Sequence, residues 1–253
     1  MITWLASYPR SGNTFARIAL LCFFGIRSRT IYSEHPFDQV IGRPPPELTP
    51  IIGKRPPEMT AAEMAVSLER FFVKTHELPG ADPSAAIYLV RDGRDTLVSY
   101  AHYILHEEHN ASAACERKLF LQTLQDLIVG EERFGGWASN VRAWTQRSAP
   151  TGLLHFEDLI ADPEKEIRQA LIELGEVPVL HTDASLPAFE SLHHVAPWFF
   201  RTGRAGAWRT EMPSYLQALF WRLHGDVMTH LGYDEEGTAA RAESPNSILP
   251  RKA

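Results

Sequence analysis

Cysteine is nearly absent from this chain: Cys22 and Cys115 are the only two among 253 residues. Two thiols so far apart make neither a disulfide framework nor a thiolate metal site. No apolar run approaches the roughly 18–20 residues that a membrane-spanning helix needs. The short apolar run Ile2–Ala6 is cut off by a polar loop before it could act as a signal peptide. Basic charge is not in excess either. The formal net charge of −6 argues against a general binder of nucleic acid or of an anionic membrane. The chain has no H-E-x-x-H pattern, no internal repeat and no low-complexity tract beyond a Pro-rich stretch at 35–58. These absences point to a reduced, cytoplasmic protein of ordinary globular composition.

What is present is an alternation of two patterns. Apolar runs at about 2–6, 71–75, 86–90 and 152–156 read as buried strands. Helical periodicity predicts helices over about 13–24, 60–70, 92–106, 115–129, 136–147, 163–174 and 214–231, with Thr60 as an N-cap. Such alternation implies an α/β fold, a three-layer P-loop-like domain whose central parallel sheet is flanked by helices. One domain is expected over 1–236, with 35–58 as an irregular loop inside it and 237–253 as a disordered tail. Ligands of such sheets bind at the carboxyl ends of the strands, and four marked segments fall there.

The first is Tyr8-Pro9-Arg10-Ser11-Gly12-Asn13-Thr14-Phe15. Strand, polar loop with Gly, then helix aims backbone N–H groups and a helix N-terminus at an anion. Aligned with the nucleotide pattern G-x-x-x-x-G-K-[ST], Asn13 stands where the Lys would be. The loop reads as built for phosphate but not for hydrolysing ATP. The second is Lys74-Thr75-His76, where a cation and a titrating base two residues apart face one side of an extended chain. The third is Arg91-Asp92-Gly93-Arg94-Asp95 with Ser99, a strand end carrying a fixed cation where a magnesium site would carry a carboxylate. The fourth, Phe199 to Arg209, joins aromatics to a Gly/Arg loop able to stack on a base and wrap a phosphate. Cationic loops on an acidic protein suggest a small anionic ligand. His102, His106 and His109 share a helical face but follow no metal-site pattern, and a role in lining the acceptor pocket or a solvated face is expected; His193 and His194 read as structural.

The order and spacing of these segments resemble those of the sulfotransferases that use 3′-phosphoadenosine 5′-phosphosulfate (PAPS), over about residues 2–233. The resemblance implies that Arg10, Ser11, Gly12, Asn13 and Thr14 hold the 5′-phosphosulfate. It implies His76 as general base, with Arg10 and Lys74 as electrostatic catalysts. Arg91 and Ser99 would bind the 3′-phosphate, and Arg201, Thr202 and Gly203 would close on it. Phe15, Phe189, Phe199 and Phe200 become candidates for contact with adenine. The implied partners are PAPS as co-substrate, its product 3′,5′-ADP (PAP) and a small-molecule acceptor, with no metal, nucleic acid or membrane. Arg10 stands where many members have Lys, Phe156 where Tyr is usual, Thr202 for a common Lys, and Ala207 for the Asp of G-D-W. Two other readings stay open, a P-loop nucleotide kinase and a non-catalytic nucleotide-binding protein. The acceptor and the oligomeric state, a homodimer included, are not written in the residues.

Overall fold

A chain whose strands are apolar on both faces must cover both faces of its sheet. The computed structural model, which describes residues 1–32, 59–108, 113–130, 134–181 and 185–237, shows how this is done. Five parallel strands, β1 (Ile2–Ser7), β2 (Arg29–Thr30), β3 (Phe71–Thr75), β4 (Ala85–Val90) and β5 (Thr151–His155), lie in the order β2-β3-β1-β4-β5. Alternate side chains of β4 go to opposite layers. Ala86, Tyr88 and Val90 pack under α3 (Gly93–Glu108), α4 (Ala113–Val129), α5 (Trp137–Thr145) and α10 (Ser214–His230). Ile87 and Leu89 pack with Leu5 and Phe72 against α1 (Asn13–Phe24) and α7 (Pro163–Glu173). The result is the three-layer arrangement expected from the pattern.

The central strand decides where a ligand can go. β1 pairs with β3 on one side and β4 on the other, so the chain runs outward from it in both directions. Loops leaving neighbouring strands on either side of such a switch point open a crevice between them. Three of the four marked segments follow β1, β3 and β4.

Several boundaries differ from the sequence expectation. The helix begun by Thr60 is α2 (Ala61–Val66), six residues long rather than eleven. Its start is as anticipated: Glu63 N donates to Thr60 Oγ1 at 3.2 Å and Thr60 N donates back to Glu63, a capping box. Its early end leaves 67–70 to bring the chain into β3 beside β1. The two-residue β2, too short for any periodicity, was not anticipated. Nor were α6 (Phe156–Ala161) and α8 (Phe189–Val195), and α9 (Trp208–Glu211) is a short helix inside the expected late loop. Phe156 opens α6 instead of closing β5. The Pro-rich loop, His109 and the tail from 238 lie outside the described residues.

Candidate active site

Arg10 is the one non-Gly residue with positive φ among the described residues (67°), and Gly12 follows at 96°. These two left-handed turns bend the loop after β1 back over the N-terminus of α1. Gly12 fits because a Cβ there would meet the Phe156 ring at 2.4 Å. Asn13 faces partly back into the scaffold: its Nδ2 donates to Leu5 O at 2.9 Å and Ser7 Oγ at 3.2 Å. It braces β1 against α1, a task that the Lys of a nucleotide loop does not perform.

Beyond this loop lies a cavity of about 440 Å³. Of the site residues expected from sequence, Arg10, Gly12, Asn13, Thr14, Phe15, Lys74, His76, Arg91, Ser99, Phe189, Phe199, Phe200, Arg201, Thr202 and Gly203 all line it. Ser11 is buried and does not. Among the described residues no Asp or Glu lines the cavity, whereas Arg10, Lys74, Arg91 and Arg201 do. The Nε atoms of Arg91 and Arg201 are buried and have no hydrogen-bond partner among the described residues. Buried donors normally find acceptors, and an anion is what this cavity would supply them.

The cations crowd one another. Burial lowers the Arg10 pKa to about 10, with Arg91 and Arg201 adding to the effect. Lys74 is held well below its ordinary value by burial, then by Arg17 and Arg10. Arg10 is also fixed in direction: Nε donates to Ser99 Oγ at 3.2 Å and Nη2 donates to Phe199 O. Its guanidinium lies over the Phe199 ring at 4.6 Å and the Tyr103 ring at 5.1 Å. Phe199 therefore sits against Arg10 and also packs edge-on against Phe200, in an apolar cluster with Phe15, Phe189 and Leu186.

His76 contacts Ser7 O through Nδ1 at 2.7 Å. A carbonyl can only accept, so Nδ1 carries the proton and Nε2 presents its lone pair. Burial, then Lys74, push the His76 pKa well below the ordinary imidazole range, the Ser7 bond acting in the opposite direction. The imidazole is neutral at pH 7, a base rather than an acid. Its backbone is clamped: His76 N donates to Tyr32 Oη at 2.6 Å, and Asn140 Nδ2 donates to His76 O at 3.1 Å. Asn140 is fully buried and accepts from Tyr88 Oη at 2.9 Å.

Sequence reasoning passed over Tyr32, Tyr88, Tyr103 and Asn140. Only Asn140 had a local signal, a lone amide on the apolar stripe of Trp137, Val141 and Trp144. Arg94 matches the third motif but does not line the cavity. It forks onto Asp92 Oδ1 and Oδ2 at 3.0 and 2.8 Å and reaches the carbonyls of Asp234 and Glu235. His102 pairs with Glu211 at 2.5 Å, His106 stacks on Trp198, and His193 contacts Phe200 O at 2.6 Å.

Residues 2–232 match the family model described as "Sulfotransferase domain". Among curated proteins, Sulfotransferase 1E1 of Mus musculus is 25% identical over 177 residues, covering 58% of each chain. Sulfotransferase 1A1 of Rattus norvegicus is 26% identical over 166 residues, covering 56% of this chain and 55% of the relative. The chain thus spans little more than half the length of these relatives. Among solved structures, mouse sulfotransferase SULT7A1 complexed with PAP superposes at a TM-score of 0.58 with 18% identity, covering 90% of this chain and 83% of that one. That likeness is one of fold.

Proposed function

Because the chain belongs to the sulfotransferase domain family, we propose that it moves a sulfuryl group from PAPS to a hydroxyl, phenol or amine of a small molecule. The donor supplies the group: its S–O bond to the 5′-phosphate breaks as the acceptor–sulfur bond forms, and 3′,5′-ADP leaves. His76 Nε2 takes the acceptor's proton. Arg10, Lys74 and the amides of residues 11–14 stabilise the charge that gathers on the leaving phosphate. Arg91, Ser99, Arg201 and Gly203 hold the 3′-phosphate, and Phe15, Phe189 and Phe199 or Phe200 offer faces for adenine. One observation carries the reading: a cavity lined by Arg10, Lys74, Arg91 and Arg201, with no carboxylate among its described lining residues, beside a neutral His76.

A kinase would need a lysine where Asn13 braces the loop and a metal-binding carboxylate where Arg91 follows β4. The test is calorimetric titration with 3′,5′-ADP, 5′-ADP and ATP, followed by label transfer from PAPS to an acceptor panel with EDTA present. Tight 3′,5′-ADP binding and EDTA-insensitive transfer are expected. ATP-dependent, magnesium-dependent transfer would replace this reading with the kinase. Binding without turnover on any acceptor would favour a non-catalytic protein.

Gly203 offers an independent check on the 3′-phosphate end. Its φ is +60°, and a Cβ would stand 2.3 Å from the Phe189 ring. Gly203→Ala is expected to weaken 3′,5′-ADP binding by about tenfold, since it adds left-handed strain and displaces Phe189. Equal affinity for the two proteins would remove Gly203 from the site.

A further inference from the structure

The loop that closes the cavity is fastened from beneath by a carboxylate on another element. Asp95 lies in the first turn of α3, its side chain fully buried. Its Oδ1 accepts from Trp208 N at 3.0 Å and its Oδ2 from Gly206 N at 2.5 Å. Trp208 begins α9, whose N-cap position is Ala207. Alanine has no side-chain oxygen for the orphan amides of a first turn, and no side chain at that position caps the helix. The acceptor comes from α3 instead.

Asp95 also reaches the loop by a second path. Arg91 Nη2 stands 3.9 Å from Asp95 Oδ2 and donates to Arg204 O at 2.9 Å. The contacts fall on and beside the positions most in need of restraint, because Gly203 and Gly206 both have positive φ and glycine loses more freedom on ordering than other residues. The front of the loop is held separately, through Phe199 O by Arg10 and through Phe200 O by His193. Burial pushes the Asp95 pKa up; Arg91 and the two amides act against that.

We propose that Asp95 is a positioning residue that latches the closing loop, residues 199–208, over the cavity by supplying from α3 the helix cap that Ala207 cannot provide. The consequence for nucleotide affinity rests on the function proposed above; the latch itself does not.

Asp95→Asn tests it at constant volume. Whichever way the amide turns, its NH2 group meets one of the two backbone N–H donors, so one bond is lost and a donor–donor contact replaces it. Amide exchange at 203–208 should accelerate about tenfold, with β4 unchanged, as expected for losing a hydrogen bond to a charged group. Affinity for 3′,5′-ADP should fall by about the same factor, and KM for PAPS should rise while kcat stays within about threefold. Asp95→Asn with Ala207→Asp should recover most of the loss, because an Asp at the N-cap accepts the first-turn amides itself. Unchanged exchange in the loop, or acceleration spread equally through α3 and the sheet with no rescue, would overturn the latch. Should the Asn variant fail to fold, the wild-type protein still decides. Gly206 and Trp208 amides must exchange more slowly than those of Arg204 and Ala205, and equal rates sink the proposal. If wild-type protein fails to bind 3′,5′-ADP, the sulfotransferase reading falls while the exchange result still judges the latch.

Discussion

His76→Ala should lower turnover by about 10²–10⁴-fold, the range for removing a general base, and leave 3′,5′-ADP affinity nearly unchanged. The asymmetry follows from placement. The Nδ1 proton is committed to Ser7 O, leaving Nε2 as the group that can act on an acceptor. In the proposed reaction the phosphates are gripped by other residues. Neutrality is secured by burial and by the positive neighbours Lys74, Arg17 and Arg10. The acid limb of kcat/KM should therefore fall below the ordinary imidazole range, because the folded pKa is lowered. The same shift makes the unfolded chain take up this proton first as pH drops through 6.5, so its contribution to stability is lost in that direction. Turnover of the variant within about threefold of wild type would take His76 out of the chemistry.

Lys74→Met should act in opposite directions on activity and stability. Lys74 is 2% exposed and is held between Arg17 and Arg10. Substituting an apolar side chain of similar length removes a desolvated cation from that cluster. The melting temperature of the free protein should rise by about 2–4 °C, the shift that about 1 kcal/mol makes in a domain of this size. The sign with pH is set by the lowered pKa. The unfolded lysine binds its proton below about 10.5 and the folded one only at lower pH, so wild-type stability is lost as pH falls from there. The gap between variant and wild type should widen over the same interval. Turnover should meanwhile fall by about 10²–10³-fold, as when one preorganised donor is removed from a developing charge. A destabilised variant, or one with normal turnover, would show that Lys74 serves the fold and not the reaction. A protein that keeps such a cation keeps it at the expense of stability, as functional sites commonly do.

Much of this architecture was legible before any coordinates. The helix 13–24 and the strands at 71–75 and 86–90 were readable because apolar runs bounded by polar loops carry their own periodicity. The phosphate loop, Lys74-Thr75-His76 and Arg91 were readable because each follows such a strand directly. Other features left no local trace. The strand Arg29–Thr30 exists only because β3 offers it an edge. Tyr32 reaches the His76 backbone from 44 residues away, and the amide of Asn140, visible on its apolar stripe, gave no sign of the His76 carbonyl 64 residues away. Arg94 and Asp95 sit in one motif with Arg91, yet only Arg91 lines the cavity. Arg91 precedes α3 whereas Arg94 and Asp95 lie in its first turn, and sequence spacing alone does not say which of them faces the crevice.

The order of residues along the chain, by itself, determined the alternation of strand and helix and hence the edge of the sheet where chemistry could gather. It also determined the cationic character of the loops there and the absence of a lysine from the phosphate loop. Only the tertiary structure decided the protonation site of His76, the crowding that shifts Lys74 and Arg10, and the fastening of the late loop by Asp95. The physical reason is range. Periodicity and turn chemistry act between near neighbours in the chain, whereas desolvation, charge crowding and hydrogen-bond partnership depend on which distant segments the fold brings within a few ångströms.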